Sequence, residues 1–236
     1  LSNGRPASPR DFRRNQRIWR CLISVTLSNS SHGTATTGLI RMCWSLPTTM
    51  AEKPFAESAV RNAAPILEVL RREFRDHSRV LEIGSGTGQH AVIFASELRH
   101  LYWQTSDLDK NHAGICAWAE HAGLENLGAP VSLDGRTAQV DENAYDAAFS
   151  SNTAHIMSID AVEKMFTLLG KTLRDGGVFC LYGPFQRNGE FNTQSNADFD
   201  ASLRQRDPAM GIRDIKRLDE FADAAGMRRQ RMYAVP

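Results

Sequence analysis

The sequence predicts an α/β fold, a parallel sheet with helices on both faces, and three observations carry that expectation. Short apolar runs alternate with segments of helical periodicity through most of the chain, the pattern of strands joined by crossover helices. The first of these runs, Val80 to Ile83, turns directly into three alternating glycines, Gly84, Gly86 and Gly88. A length of 236 residues with 42% hydrophobic and 23% charged content suits one sizeable α/β domain.

The elements follow in order. Pro65 suits the first turn of a helix in which Ile66, Leu67, Leu70 and Phe74 recur at helical spacing. Strand one is Val80 to Ile83, and the run Gln89 to Leu98 behind the glycines has Ala91, Ile93, Phe94 and Leu98 near helical spacing. Strand two is about Leu101 to Thr105, a helix runs through Ile115, Ala117, Trp118 and Ala122, and strand three lies near Pro130 to Leu133. Strand four, Tyr145 to Ser150, precedes a helix over Asp160 to Arg174 that starts behind the capping residue Ser158 and stops at Asp175-Gly176-Gly177. Strand five is Val178 to Tyr182. Gly183 to Asp214 is looser, with one helix around Ala197 to Arg206, and insertions of this length usually bind ligands or act as lids. A helix over Leu218 to Ala225 leads into a sixth strand, Met227 to Val235.

Charge divides the chain. Residues 1–49 carry seven arginines and one acid, Asp11, whereas the remainder holds 21 basic and 26 acidic residues. The mildly acidic body argues against nucleic acid as a partner, and no run approaches the length of a membrane helix. Residues 1–49, rich in Ser, Thr and Arg and starting at Leu1, read as a disordered leader: translated upstream sequence, a transit peptide, a genuine extension, or a signal with its apolar core at Cys21 to Leu27. Residues 50–236 form the domain, expected in the cytoplasm. The four cysteines lack zinc spacing, so reduced thiols are expected for Cys116 and Cys180.

The glycine turn is where a ligand can touch bare backbone, because glycine lacks the Cβ that would hold it away and accepts positive φ. The free N–H groups of the following helix suit a small anionic group. A dinucleotide fingerprint places its third glycine where Gln89 stands here. Glu82-Ile-Gly84-Ser-Gly86-Thr-Gly88 instead resembles motif I of the class I S-adenosylmethionine (SAM) methyltransferases, whose loop meets the methionine end of SAM.

Further stretches agree. Lys53-Pro54-Phe55, Ala64 to Leu70, Leu81 to His90, Trp103 to Leu108, Ser151 to Met157, Tyr182 to Phe185 and Gly211 to Asp214 resemble the methyltransferase-like 26 family, over essentially Ala51 to Pro236. The resemblance implies a Rossmann-like class I methyltransferase sheet, SAM as cofactor, and an unidentified, small-molecule acceptor. It also implies a last, antiparallel strand between strands five and six that this chain lacks, which would leave strand six without its neighbour and the sheet with an unpaired edge. A chain extended at its carboxyl end should then be more soluble.

Site residues follow from place and resemblance. Glu82 would orient the loop of Gly84, Ser85, Gly86, Thr87 and Gly88. Asp107, with Asp109 as the alternate, matches the acid that accepts from both ribose hydroxyls, or else caps the following helix. Asp134 matches the residue holding the adenine amino group, or is a turn Asp before Gly135. Asn152 and His155 follow strand four at the carboxyl edge of the sheet, where open α/β folds bind ligands. Asn152 is assigned to the methionine end of SAM. His155, whose ordinary pKa of about 6.5 suits a base, is assigned to the acceptor, or is a wall residue. Tyr182, Pro184 and Phe185 would wall the methyl, Phe55 and Asn62 would close over the cofactor, and Arg206 and Arg213 are candidates for binding an acidic acceptor. The rival readings are a nicotinamide-dependent oxidoreductase and a non-catalytic SAM-binding relative.

Overall fold

A computed structural model describes residues 17–24, 53–133 and 141–235. Its elements are β1 (Arg17–Ser24), α1 (Glu57–Glu73), β2 (Arg79–Glu82), α2 (Gln89–Glu97), β3 (Tyr102–Asp107), α3 (Asp109–Ala122) and β4 (Leu127–Ser132). There follow β5 (Tyr145–Ser151), α4 (Ile159–Thr172), β6 (Leu173–Gly183), β7 (Phe185–Gln186), α5 (Gln194–Arg206), β8 (Arg213–Asp214), α6 (Ile215–Ala224) and β9 (Met227–Val235). Seven strands form one sheet in the order β4-β3-β2-β5-β6-β1-β9, and every adjacent pair is parallel.

Period-two alternation splits each central strand between two cores. Val80, Ala147, Phe149, Val178, Cys180 and Tyr182 face α1 and α2, where Ile66, Leu70, Ala91 and Phe94 meet them. Leu81, Ala148, Phe179 and Leu181 face α4 and α6, where Phe166, Leu169, Leu218 and Phe221 close the other layer. Both faces being covered explains why these strands are continuously apolar.

Two helix boundaries differ from expectation. Pro65 lies inside α1, which begins at Glu57. The proline forfeits one intrahelical hydrogen bond, a cost of about 3 kcal/mol, but the buried face runs unbroken past it, from Ala59 and Ala63 to Ile66, Leu67 and Leu70. The helix capped by Ser158, whose Oγ accepts from the Ala161 N–H, ends at Thr172. Leu173 already pairs with Tyr145, and the glycines read as a helix stop lie in an irregularity of β6 before Val178 pairs with Ala147.

The larger correction concerns the amino-terminal segment. Residues 17–24, inside the stretch expected to be a disordered leader, form β1, parallel to both β6 and β9. The sixth strand of the sequence reading, here β9, therefore has its inner neighbour, and the unpaired edge expected beside β6 is filled. The side chains account for it. Trp19 and Cys21 are fully buried on the α4 face, and Trp19 stands edge-on to Phe166 at 5.8 Å. On the opposite face Arg20 reaches Glu73 of α1.

Candidate active site

The carboxyl ends of β2, β3, β5 and β6 converge on the glycine turn. Gly84, Gly86 and Gly88 all have positive φ, at 73°, 58° and 88°. Gly84 is also sterically required, since a Cβ there would stand 2.7 Å from Thr153 on the β5 loop. At Gly86 a Cβ would meet nothing within 4 Å, so this peptide presents an open backbone surface. The Gly84 and Ser85 amides both donate to the Ser106 carbonyl, at 3.0 Å each, which ties the turn to β3.

Two acids hold the turn from beneath. Glu82 is 1% exposed, and one of its oxygens, Oε2, accepts from Ser85 Oγ at 2.9 Å and Trp103 Nε1 at 3.0 Å. Burial, reinforced by the nearby Asp107, pushes the Glu82 carboxyl up to about 7 against the pull of those hydrogen bonds. Asp107 Oδ2 accepts from the Gly86 amide at 2.7 Å, while its Oδ1 takes the Leu108 amide and Asn111 Nδ2, both at 2.7 Å. One Asp107 oxygen thus serves the turn and the other the residues at the start of α3, whose N-cap position is Leu108. Of the roughly four acceptor positions of a carboxylate, these three bonds leave one for a ligand. Asp109, the alternate, is exposed and accepts from Ser132 Oγ. Asp134 lies outside the described residues.

Asn152 adopts positive φ, 55°, and its amide donates to the Tyr182 carbonyl at 2.9 Å. This turns the β5 loop toward the end of β6. There a Cβ on Gly183 would stand 3.8 Å from Asn152 Oδ1, 3.9 Å from His155 Nδ1 and 3.7 Å from Phe185 Cζ, so Gly183 marks the meeting point of the three side chains. His155 is 7% exposed, and Gly211 donates to its carbonyl at 2.9 Å. Burial above all, then the charges of Arg213 and Arg206, lower its pKa to about 4. The ordinary histidine pKa expected from sequence does not survive this setting, and the ring is neutral at pH 7.

Several expected residues serve the frame. Tyr182 is 1% exposed and packs in the core with α1 and α2 instead of walling the opening. Phe185 and Pro184 are buried, Phe185 in the core on the α4 face. Arg213 is 8% exposed, with its guanidinium donating to the carbonyls of Ala154, Met157 and Ala209. It clamps the His155 loop to the turn before β8, which leaves it committed to backbone. Arg206, by contrast, is exposed. Phe55 is 65% exposed just ahead of α1, and Asn62 is half-buried on that helix.

Sequence reasoning missed Gln89 as an anchor. It is buried, and its Oε1 accepts from the Ala56 amide at 2.5 Å and from Thr87 Oγ1 at 3.1 Å. Trp118 Nε1 donates to the Pro54 carbonyl at 2.8 Å, and Lys53 lies 4.8 Å from the Trp118 ring centre. Together these contacts fasten the segment before α1 beside the glycine turn. The signal was present as the residue that breaks the dinucleotide spacing. Ser151, at the end of β5, was also overlooked, and its buried Oγ has no hydrogen-bond partner among the described residues.

A family model described as "Protein of unknown function (DUF938)" matches residues 53–236. The chain belongs to this family. Solved structures share the fold of this DUF938 protein at low sequence identity. PigF with SAH (S-adenosylhomocysteine) is 18% identical with a TM-score of 0.59, over 72% of this chain and 57% of that one. Mitomycin 7-O-methyltransferase MmcR is 13% identical with a TM-score of 0.63, over 72% and 48%. Human N-acetylserotonin methyltransferase in complex with SAM is 13% identical with a TM-score of 0.58, over 72% and 47%. The DUF938 chain thus matches only about half the length of these structures, and its sheet with helices on both faces is their Rossmann-like methyltransferase fold. No helix among the described residues is long and apolar enough to cross a membrane.

Proposed function

We propose that this DUF938 protein is a SAM-dependent methyltransferase acting on a small-molecule acceptor, as its resemblance to the methyltransferase-like 26 family implies. The observation that carries the reading is the open Gly86 peptide, held by Asp107 at the carboxyl edge of the sheet. Gly84 to Gly88 would hold the methionine end of SAM and the free acceptor position of Asp107 one ribose hydroxyl, with Asn152 Oδ1 as a further polar contact. Bound SAM supplies a methyl on a positively charged sulfur, so transfer requires a nucleophile in line with the S–C bond. The protein's contribution is then position, which alone is worth several kcal/mol of barrier. The neutral His155 accepts a hydrogen bond from the acceptor and orients it, and with its lowered pKa it is a weak base.

Nothing in the turn favours a nicotinamide cofactor, since Gln89 fills the third-glycine position and is bonded to Ala56 and Thr87. The experiment is a thermal-shift series with SAM, S-adenosylhomocysteine, NAD and NADP, followed by labelled-methyl transfer into a small-molecule extract. Stabilisation by the two sulfur nucleosides alone, with label incorporated, is the expected result. Stabilisation by NAD or NADP alone would overturn the reading, and SAM binding without any incorporation would mark a non-catalytic relative.

A further inference from the structure

We infer that the acceptor is a small aromatic molecule bearing a negatively charged group, gripped by one face of α5 through Phe199 and Arg206. The inference rests on the methyltransferase reading above and assigns its acceptor side. Phe199 and Arg206 are seven residues apart, two helical turns, and therefore share a face of α5. Leu203, between them on that face, is buried and seats the helix on the domain. Phe199 keeps 40% of its surface exposed although its ring meets the buried His155 ring edge-on, with centroids 5.2 Å apart. One part of the aromatic surface thus touches the candidate acceptor-orienting residue, and the rest is open to a second ring.

Charge selects what that ring carries. Three arginines gather near this helix, and two are committed. Arg204 pairs with Asp200 at 2.7 Å, and Arg213 is spent on backbone carbonyls. Arg206 makes no ion pair among the described residues, and its Nη2 reaches only Met210 Sδ, at 3.3 Å. Met210 precedes Gly211, whose amide bonds the His155 carbonyl, so the free guanidinium lies along the same seam as the histidine. Its charge is felt at the imidazole, which it helps to keep neutral. A carboxylate, sulfonate or phosphate on the ring would pair with Arg206 while a hydroxyl elsewhere on it approaches His155.

The test uses the full chain saturated with S-adenosylhomocysteine, and three probes titrated by calorimetry: 4-hydroxybenzoate, its neutral isostere 4-hydroxybenzamide, and non-aromatic 4-hydroxycyclohexanecarboxylate. The acid should bind at least about tenfold more tightly than the amide, the worth of one charge-assisted hydrogen bond. Arg206→Gln should erase that ratio. Phe199→Leu should weaken both aromatic probes and leave the ratio intact, and the cyclohexane acid should bind more weakly than the benzoate. Equal binding of acid and amide, a ratio surviving Arg206→Gln, or no binding of any probe to the nucleoside-loaded protein would overturn the assignment while the methyltransferase reading stands. Failure of S-adenosylhomocysteine itself to bind would remove that reading, and this assignment with it.

Discussion

Arg20 Nε of β1 and Glu73 Oε2 of α1 meet at 2.6 Å, both side chains almost wholly buried. Gln230 accepts from Arg20 at 3.1 Å, and Tyr233 donates to the second Glu73 oxygen, so the pair ties β1, α1 and β9 together. Burial works to raise the Glu73 carboxyl, but the hydrogen bonds from Tyr233 and Arg20 prevail and hold it below its ordinary 4.5. Removing one partner strands a buried charge, so Arg20→Ala should cost about 3–5 kcal/mol in denaturant unfolding, whereas Arg20→Met with Glu73→Leu should recover most of it. The stabilisation from Glu73 is complete above pH 4.5 and lost as pH falls through its lower folded value. An Arg20→Ala protein of unchanged stability would show that the Arg20–Glu73 pair does not anchor β1 to α1.

Glu82 should tilt the pH profile in the opposite sense. A carboxyl raised from 4.5 to about 7 binds its proton more tightly in the folded chain, so stability falls as pH rises through that interval. The full effect is about 3 kcal/mol. Both hydrogen bonds go to a single oxygen, which glutamine reproduces. Melting temperatures from pH 5 to 8 should therefore vary less for Glu82→Gln than for the parent.

The two glycines of the turn should differ. Gly86→Ala meets only the strain of positive φ, about 1–2 kcal/mol, because its Cβ has open space. Gly84→Ala adds a collision with Thr153 at 2.7 Å and should be the more destabilising of the two. For SAM binding the order reverses, since a methyl on Gly86 projects into the surface proposed for the ligand. Melting curves and equilibrium dialysis on the same two proteins check both halves.

His155→Ala should leave SAM affinity within about twofold and lower transfer by about tenfold, the worth of one orienting hydrogen bond. With a folded pKa near 4 against an ordinary 6.5, the parent ring stays neutral from pH 6 to 9. It should therefore impose no inflection on kcat in that range. For stability, the unfolded chain takes up this proton first, so the parent weakens as pH drops from 6.5 toward 4. An inflection near 6.5 that vanishes in His155→Ala would show a solvated histidine instead.

Sequence patterns carried the sheet from β2 to β6 well, because strands buried on both faces are short apolar runs and the intervening helices show one apolar stripe. They failed where burial depends on distant partners. Trp19, Arg20 and Cys21 read as part of a basic leader, and only the slot between β6 and β9, with Glu73 across it, explains their burial. In the site, the glycine turn was legible from local backbone chemistry, whereas Arg213 was not. An arginine facing three carbonyls and one destined for a ligand look alike until the chain is folded. Gln89 was noticed only for what it excluded, and its bond to Ala56 needed the neighbouring segment to be in place.

The outer border of β9 has its own consequence. In the Met227–Val235 strand Arg228, Gln230 and Arg231 are exposed, and Arg229 is half-buried against Asp219. Among the described residues no strand pairs with the outer side of β9, and a second molecule aligning there would bring like cations together, so their repulsion disfavours pairing through this edge.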